Sequence, residues 1–145
     1  MSARRSPRKT PAVILDMDGT LAIITDRSPY ATRGLSKDRP NAPVIAVVQA
    51  LAGAGYDIVV VSGRVESTRA QTEAWLDRHL GVPYVGPLFR ADGDERKDAV
   101  VKREMYEREI EPTYDVLCAL DDRDQTVAMW RKLGLTCLQV APGDF

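Results

Sequence analysis

The stretch Ala12-Val13-Ile14-Leu15-Asp16-Met17-Asp18-Gly19-Thr20-Leu21 decides the fold. A short apolar run stops at two carboxylates one residue apart, followed by Gly-Thr. Strands of a parallel sheet are covered on both faces and read as continuous apolar runs, so Ala12 to Leu15 reads as such a strand. Polar groups at its carboxyl end stand where open α/β sheets bind their ligands. Two carboxylates so close repel one another unless a cation or a shared proton compensates. The competing reading is an ordinary Asp-x-Asp-Gly turn, since Asp and Gly are common turn residues. The rest of the chain separates the two.

Working outward, the same pattern recurs. The run Asp57 to Ser62 ends in the polar cluster Ser62, Gly63 and Arg64, and Tyr114 to Leu120 runs into Asp121-Asp122. Tyr84 to Phe89 and Thr136 to Val140 complete five expected strands. Helical signals fall between them. Pro43 opens a helix whose Val44, Val47, Val48 and Leu51 form one stripe, stopped by Gly53 and Gly55. Further helices are expected over Glu66–Leu80, Arg96–Ile110 and Asp124–Leu133, with Gly81, Pro112 and Gly134 as stops. This alternation predicts a three-layer α/β sandwich around a mainly parallel, five-stranded Rossmann-like sheet. Residues 19–41 show no period, and a connection of that length inside a compact domain reads as a lid or binding loop, a minimal cap after the first strand.

The chain has 145 residues, which fits one domain with a real core, residues 12–145. Residues 1–11, with Arg4, Arg5, Arg8 and Lys9, read as a disordered basic arm. A net charge of -1 does not announce a nucleic-acid binder, and no apolar run is long enough to span a bilayer. Cys118 and Cys137 lie in apolar runs and read as buried reduced thiols, which suits a cytoplasmic protein. His79 is the only histidine, which excludes a His-based zinc site or a catalytic His pair. The chemistry must use carboxylates, cations and hydroxyls.

Asp16, Asp18, Asp121 and Asp122, at two strand ends, offer a hard oxygen cage for Mg²⁺. Ser62, Arg64 and a lysine add donors and positive charge. A cation and donors beside a free carboxylate are what phosphoryl transfer to that carboxylate requires.

The Asp16-x-Asp18-Gly19-Thr20 signature, Ser62, a helical lysine and the late acidic pair together resemble the haloacid dehalogenase-like phosphatases. The resemblance extends further through Val60-Val61-Ser62-Gly63-Arg64, Arg96-Lys97-Asp98-x-x-Val101-Lys102, Asp121-Asp122-Arg123 with Met129-Trp130-Arg131, and Gly143-Asp144-Phe145. These segments look like the 3′-phosphatase domain of bacteriophage polynucleotide kinase/phosphatase, over about Ala12 to Phe145. That resemblance implies that Asp16 is the nucleophile and Asp18 the general acid, then base. It implies that Asp16, the backbone carbonyl of Asp18, and Asp121 hold Mg²⁺, with Asp122 as a further ligand or orienting group. Ser62 and Lys102 would bind and neutralise the phosphoryl oxygens, and Asp98 would orient Lys102 as an i,i+4 pair. Arg27 and Arg64, with Thr20 and Gly63, would bind the substrate phosphate; a guanidinium does so bidentately.

Several residues have plainer readings. Lys97 competes with Lys102 as the motif lysine and ranks below it. Asp124 reads as the N-cap of the last helix, and Asp26, Asp92 and Asp94 as loop residues. Trp75 and Trp130 read as core, His79 as a helix-end residue, and Tyr30 as a weak candidate for base stacking.

The expected activity is a Mg²⁺-dependent polynucleotide 3′-phosphatase acting on DNA or RNA ends in end repair, beside a kinase domain or ligase. No Gly-x4-Gly-Lys-Ser/Thr segment occurs, so 5′-kinase activity is not expected of these residues. Competing readings are a phosphatase of nucleotides or small metabolites, a receiver-like signalling domain, and a non-catalytic binder of nucleic-acid ends. A receiver places its phosphoacceptor on a middle strand after the acidic pair, whereas here Asp-x-Asp comes first.

Overall fold

The computed structural model describes residues 8–25, 27–28 and 30–145. Met1–Pro7 of the expected arm and the expected loop residue Asp26 lie outside them. Five parallel strands form the central sheet: β1 (Thr10–Asp16), β4 (Asp57–Val65), β5 (Val85–Arg90), β6 (Tyr114–Asp121) and β7 (Cys137–Gln139). A two-stranded antiparallel ribbon, β2 (Ala22–Ile23) with β3 (Arg39–Pro40), forms inside the long connection after β1. The helices are α1 (Ala42–Gly53), α2 (Arg69–His79), α3 (Asp98–Met105) and α4 (Asp124–Lys132).

The sheet order is β5-β4-β1-β6-β7. The quoted stretch is therefore the central strand, and the two other strands with polar ends flank it directly. After β1 the chain builds outward on one side through β4, then crosses to build the other through β6. The ends of these three strands thus meet at the topological switch point, where open α/β sheets place their ligands.

Successive side chains of a strand point to opposite faces, and β1 is buried on both. Val13 and Leu15 pack with Ile58, Val60, Ile45, Val48, Trp75 and Leu76, which places α1 and α2 on one face. Ala12 and Ile14 pack with Val59, Val61, Val101, Met105, Val127 and Trp130, which places α3 and α4 on the other. The three layers are those the alternation predicts.

Several boundaries differ from expectation. β1 starts at Thr10 because Thr10 and Pro11, the last residues of the expected arm, pair with Tyr114 and Asp115. β4 runs three residues past Ser62, through Gly63, to Val65, since Val65 pairs with Arg90 of β5. The third helix opens at Asp98 and relaxes into a wider turn over Tyr106–Ile110. Asp124 is the first residue of α4, with Arg123 at the cap position, and its carboxylate accepts a bond from Gln139 Nε2 at 2.6 Å.

Candidate active site

β1 delivers Asp16 to the sheet edge and buries it to 4% exposure. β6 delivers Asp121 beside it, followed by Asp122, both buried. Oxygen atoms of these three carboxylates lie within 4.8 Å of one another. From α3, the ammonium of Lys102 reaches between two of them: Nζ donates to Asp16 Oδ1 at 2.6 Å and Asp121 Oδ2 at 3.0 Å. Lys102 is itself 1% exposed, while Lys97 is exposed on the loop. Burial works against the Lys102 charge, but Asp121 and Asp16 outweigh it and hold the ammonium well above its ordinary pKa.

Three carboxylates against one ammonium leave an excess of negative charge in a dry site. Burial, then repulsion from Asp121, pushes Asp16 well above the ordinary carboxylate value despite Lys102, and burial likewise raises Asp122. Each unpaired buried charge costs several kcal/mol, so the cluster is suited to a cation. Mg²⁺–oxygen bonds of about 2.0–2.1 Å keep two ligands within about 4.2 Å of each other. Closing by at most about 0.6 Å would bring Asp16, Asp121 and Asp122 within that limit. The donor set is all hard oxygen, as Mg²⁺ prefers.

Other groups fix these acids. Asp121 accepts the Asp122 amide at Oδ1, at 2.8 Å, and the Trp130 indole N–H at Oδ2, at 3.1 Å. Thr20 Oγ1 lies 3.1 Å from Asp16 Oδ2 and 3.3 Å from Asp122 Oδ1, within reach of either. Gly19 has φ +82°, and a Cβ there would stand 2.1 Å from Asp122 Oδ2. This glycine is required twice, by its left-handed backbone and by the space Asp122 occupies.

The Asp18 carboxylate, expected in the oxygen cage with the other three acids, is not part of it: two residues past Asp16, it faces a separate basic group. Its Oδ1 accepts Arg27 Nη2 at 2.8 Å and Arg64 Nη2 at 2.7 Å, and its Oδ2 accepts Arg64 Nε at 3.0 Å. Behind the arginines lies Asp38, which sequence reading missed. Its carboxylate takes Arg27 Nε at 2.9 Å, Arg27 Nη2 at 2.6 Å and Arg64 Nη2 at 3.0 Å. Asp38 is 4% exposed, and its carbonyl accepts the Trp75 indole N–H at 2.9 Å. No periodicity singles it out; its only sequence signal is an acid between Lys37 and Arg39 in an irregular loop.

Ser62 is fully buried at the β4 end, and its Oγ accepts the Arg64 amide at 3.0 Å. Among the described residues it donates to no acceptor, so its hydroxyl proton is free for an anion.

The expected partner of Asp98 needs correction. Its carboxylate is held by Arg90 Nη2 and by Arg123 Nη1, the latter at 2.9 Å, and not by Lys102. One helical turn does separate Asp98 from Lys102, but the buried ammonium is drawn to the carboxylates at the strand ends. Asp98 still helps to hold Lys102 charged, as a minor contribution. Arg90 also donates from Nε to the Gly63 carbonyl at 2.7 Å, and a Cβ on Gly63 would meet Asp98 Oδ1 at 2.7 Å. Gly63 thus lets α3 close on the end of β4. Arg90 and Arg123 were both missed, because their role appears only when β5 and the β6–α4 junction converge on α3.

Trp75 and Trp130 are buried, as expected, while Tyr30 is 82% exposed. His79 is half-buried at the end of α2, its ring 4.7 Å from that of Trp75. Cys118 and Cys137 are both buried and free.

A parallel sheet with Asp-x-Asp on its central strand, a buried lysine from the side and an acidic pair on the next strand defines a haloacid dehalogenase-like phosphatase. Residues 10–145 match the family described as the polynucleotide kinase PNKP phosphatase domain, and the chain belongs to that family. A protein of Autographa californica nuclear polyhedrosis virus, named as a bifunctional polynucleotide kinase/RNA ligase, is 32% identical over 124 residues, 84% of this chain and 18% of that one. A chain in the structure of the Pnkp1/Rnl/Hen1 RNA repair complex superimposes with a TM-score of 0.91 at 38% identity, covering 100% of this chain and 47% of its own. A class C acid phosphatase from Bacillus anthracis, at 19% identity and a TM-score of 0.61, shares the fold. The chain thus spans about half the length of the repair-complex chain and a smaller part of the viral protein. It is a hydrolase of the phosphatase class.

Proposed function

We propose that the protein is a Mg²⁺-dependent polynucleotide 3′-phosphatase that converts 3′-phosphate ends of RNA or DNA to 3′-hydroxyls in end repair. The observation that carries this reading is the division of labour between Asp16 and Asp18. One carboxylate faces a lysine and two further acids, while the other faces two arginines. The family match and the repair-complex relative favour a nucleic-acid end, with RNA the first substrate to test.

In this reading an oxygen of Asp16 attacks the phosphorus, and the bond from phosphorus to the 3′-oxygen breaks. Asp18 gives its proton to the departing 3′-oxygen, leaving a 3′-hydroxyl and a phosphoryl group on Asp16. Asp18, now a carboxylate, takes a proton from water. That water attacks phosphorus, releasing phosphate and restoring the Asp16 carboxylate. Ser62 donates its free proton to a phosphoryl oxygen, and Lys102 offsets charge on Asp16 and the transferred group. Arg27 and Arg64 turn their forks toward the incoming phosphate. Asp16, Asp121, Asp122 and the Asp18 carbonyl would hold Mg²⁺, which when bound neutralises phosphoryl charge so that an anionic nucleophile can approach.

A kinase domain or a ligase is the proposed working partner, and a cytoplasmic site suits the two free buried thiols.

The test compares phosphate release, with Mg²⁺, from 3′-phosphorylated RNA and DNA oligonucleotides, nucleoside 3′-monophosphates and sugar phosphates. Preference for oligonucleotides is expected; equal or better turnover of sugar phosphates rejects the polynucleotide reading. Asp16→Asn should abolish turnover with the fold retained, and turnover in that variant would remove Asp16 as nucleophile.

A further inference from the structure

Residues 27–40, which join β1 to α1 across the small ribbon, carry Arg27, Arg33, Lys37 and Arg39 against a single acid, Asp38. In a chain of net charge -1 this is a local concentration of positive charge. The one acid is turned inward and engaged with Arg27 and Arg64. Arg33, Lys37 and Arg39 are exposed and form no ion pair among the described residues. Several other surface arginines differ: Arg69 pairs with Glu66 and Glu73, Arg96 with Asp94 and Glu104, and Arg103 with Glu107. A surface charged only for solubility intersperses both signs, as around those three arginines. Tyr30, in the same segment, is the most exposed of the large apolar side chains at 82%.

Folding does not explain this upper side. The segment is anchored from below by buried Leu35, by the Asp38 carboxylate, and by the Trp75 indole on the Asp38 carbonyl. Asp38 fixes the strap to the same two arginines that grip Asp18, so the outward cations begin beside the phosphate site.

We propose that this strap is the track for the sugar-phosphate backbone of a single strand whose 3′-phosphate end occupies the site. The inference rests on the polynucleotide reading above and adds where the strand lies. Arg33, Lys37 and Arg39 neutralise successive phosphates behind the terminal one, and Tyr30 offers a face on which a base stacks. Such contacts carry no sequence information, which suits an enzyme acting on ends.

The experiment measures kcat/KM on a 3′-phosphorylated decanucleotide and on a nucleoside 3′-monophosphate, across a range of salt concentration. The mononucleotide reads the catalytic centre alone. The triple variant Arg33→Gln, Lys37→Gln, Arg39→Gln should lose at least tenfold on the decanucleotide and little on the mononucleotide. Its log–log salt slope should be shallower by about 2, from three lost contacts at about 0.7 each for a single strand. The charge-retaining Arg33→Lys, Arg39→Lys variant should keep most of the decanucleotide rate. Fluorescence anisotropy with a labelled 3′-hydroxyl decanucleotide gives the same comparison without turnover, so a variant with a damaged site still reports. If the natural protein prefers the decanucleotide and the triple variant keeps that preference and slope, the strap is not the track. If the natural protein shows no preference for the longer substrate, the polynucleotide reading itself fails.

Discussion

Lys102 Nζ lies 2.6 Å from Asp16 Oδ1, with both side chains almost fully buried. This pair joins α3 to the end of the central strand and favours the charged form of the proposed nucleophile against burial and Asp121. An ammonium so placed weakens repulsion between Asp16 and an incoming phosphate dianion. It also partly offsets the mutual repulsion of Asp16, Asp121 and Asp122.

Lys102→Met should therefore harm both activity and fold. Removing one electrostatic donor at a reacting anion costs roughly 10²–10³ in kcat. Breaking a buried ion pair costs about 3–5 kcal/mol, because the remaining charge is left uncompensated. Initial rates and urea denaturation measure the two effects. A variant of unchanged activity would remove Lys102 from the site.

Cation binding should stabilise the protein through the same carboxylates. A ligand at about 100 times its Kd adds roughly 2.7 kcal/mol of stability. For a domain of this size each kcal/mol moves Tm by roughly 2–4 °C, so Mg²⁺ should raise Tm by roughly 5–10 °C over EDTA. Differential scanning fluorimetry reads the shift, and Asp121→Asn combined with Asp122→Asn should abolish it. An equal shift in that double variant would place the cation elsewhere.

Much of this site is legible in the sequence because strand ends announce themselves. Three apolar runs stop abruptly at Asp16, Ser62 and Asp121, and a parallel sheet forces such ends to one edge. Lys102 outranked Lys97 on its position in the motif, and it is Lys102 that enters the core. Asp38, Arg90 and Arg123 were not legible, since their contacts run across irregular loops or between elements, where no helix or strand period pairs the residues. Asp98 shows the same limit from the other side. A local i,i+4 rule named Lys102 as its partner, whereas Arg90 and Arg123 arrive from β5 and from the start of α4. Gly63 lies inside β4, where glycine usually weakens a strand; here it makes room for Asp98.

Asp38→Ala should lower kcat/KM by one to two orders of magnitude although Asp38 has no place for substrate. Its carboxylate aligns Arg27 and Arg64, and losing it leaves two guanidinium groups sharing only Asp18. A cost of about 3 kcal/mol in stability is expected from breaking a buried charge pair. Asp38→Asn keeps the volume and one acceptor, so it should retain more stability than Asp38→Ala while still losing rate. Equal activity of both variants with the natural protein would show that the arginines need no support.

The thiols give a pH-dependent check on the core. Cys137 is buried, and burial together with the nearby Asp121 carboxylate pushes its thiol up to about 11; burial also raises Cys118. The folded protein thus keeps the Cys137 proton at pH values where the unfolded chain, near the ordinary 9.0, has released it. Between those values the folded state binds more protons, so its stability falls as pH rises from about 9 to about 11. Melting curves across that range should show the decline, and Cys137→Ala should make it shallower while Cys118 and Lys102, also raised, keep part of it. At pH 8 both thiols should resist iodoacetamide until denaturant is added, since the thiolate is the reactive form.

Gly143 tests whether the C-terminal segment belongs to the site. A Cβ at this position would lie 2.1 Å from the backbone carbonyl oxygen of Asp122 and 2.6 Å from Cα of Arg123. Both neighbours are backbone, so neither can swing aside as a flexible side chain does. The Gly143 carbonyl also accepts the Asp124 amide at 2.6 Å, which ties the chain end to the start of α4. Gly143→Ala must therefore push the segment away or shift Asp122 and Arg123. Either movement reaches the cation cluster through Asp122 and the Asp98 group through Arg123. The expected result is weaker Mg²⁺ dependence of Tm and a rate reduced at least tenfold, with the sheet intact by circular dichroism. Full activity and an unchanged Mg²⁺ response would show that the C-terminal segment packs against the site without shaping it.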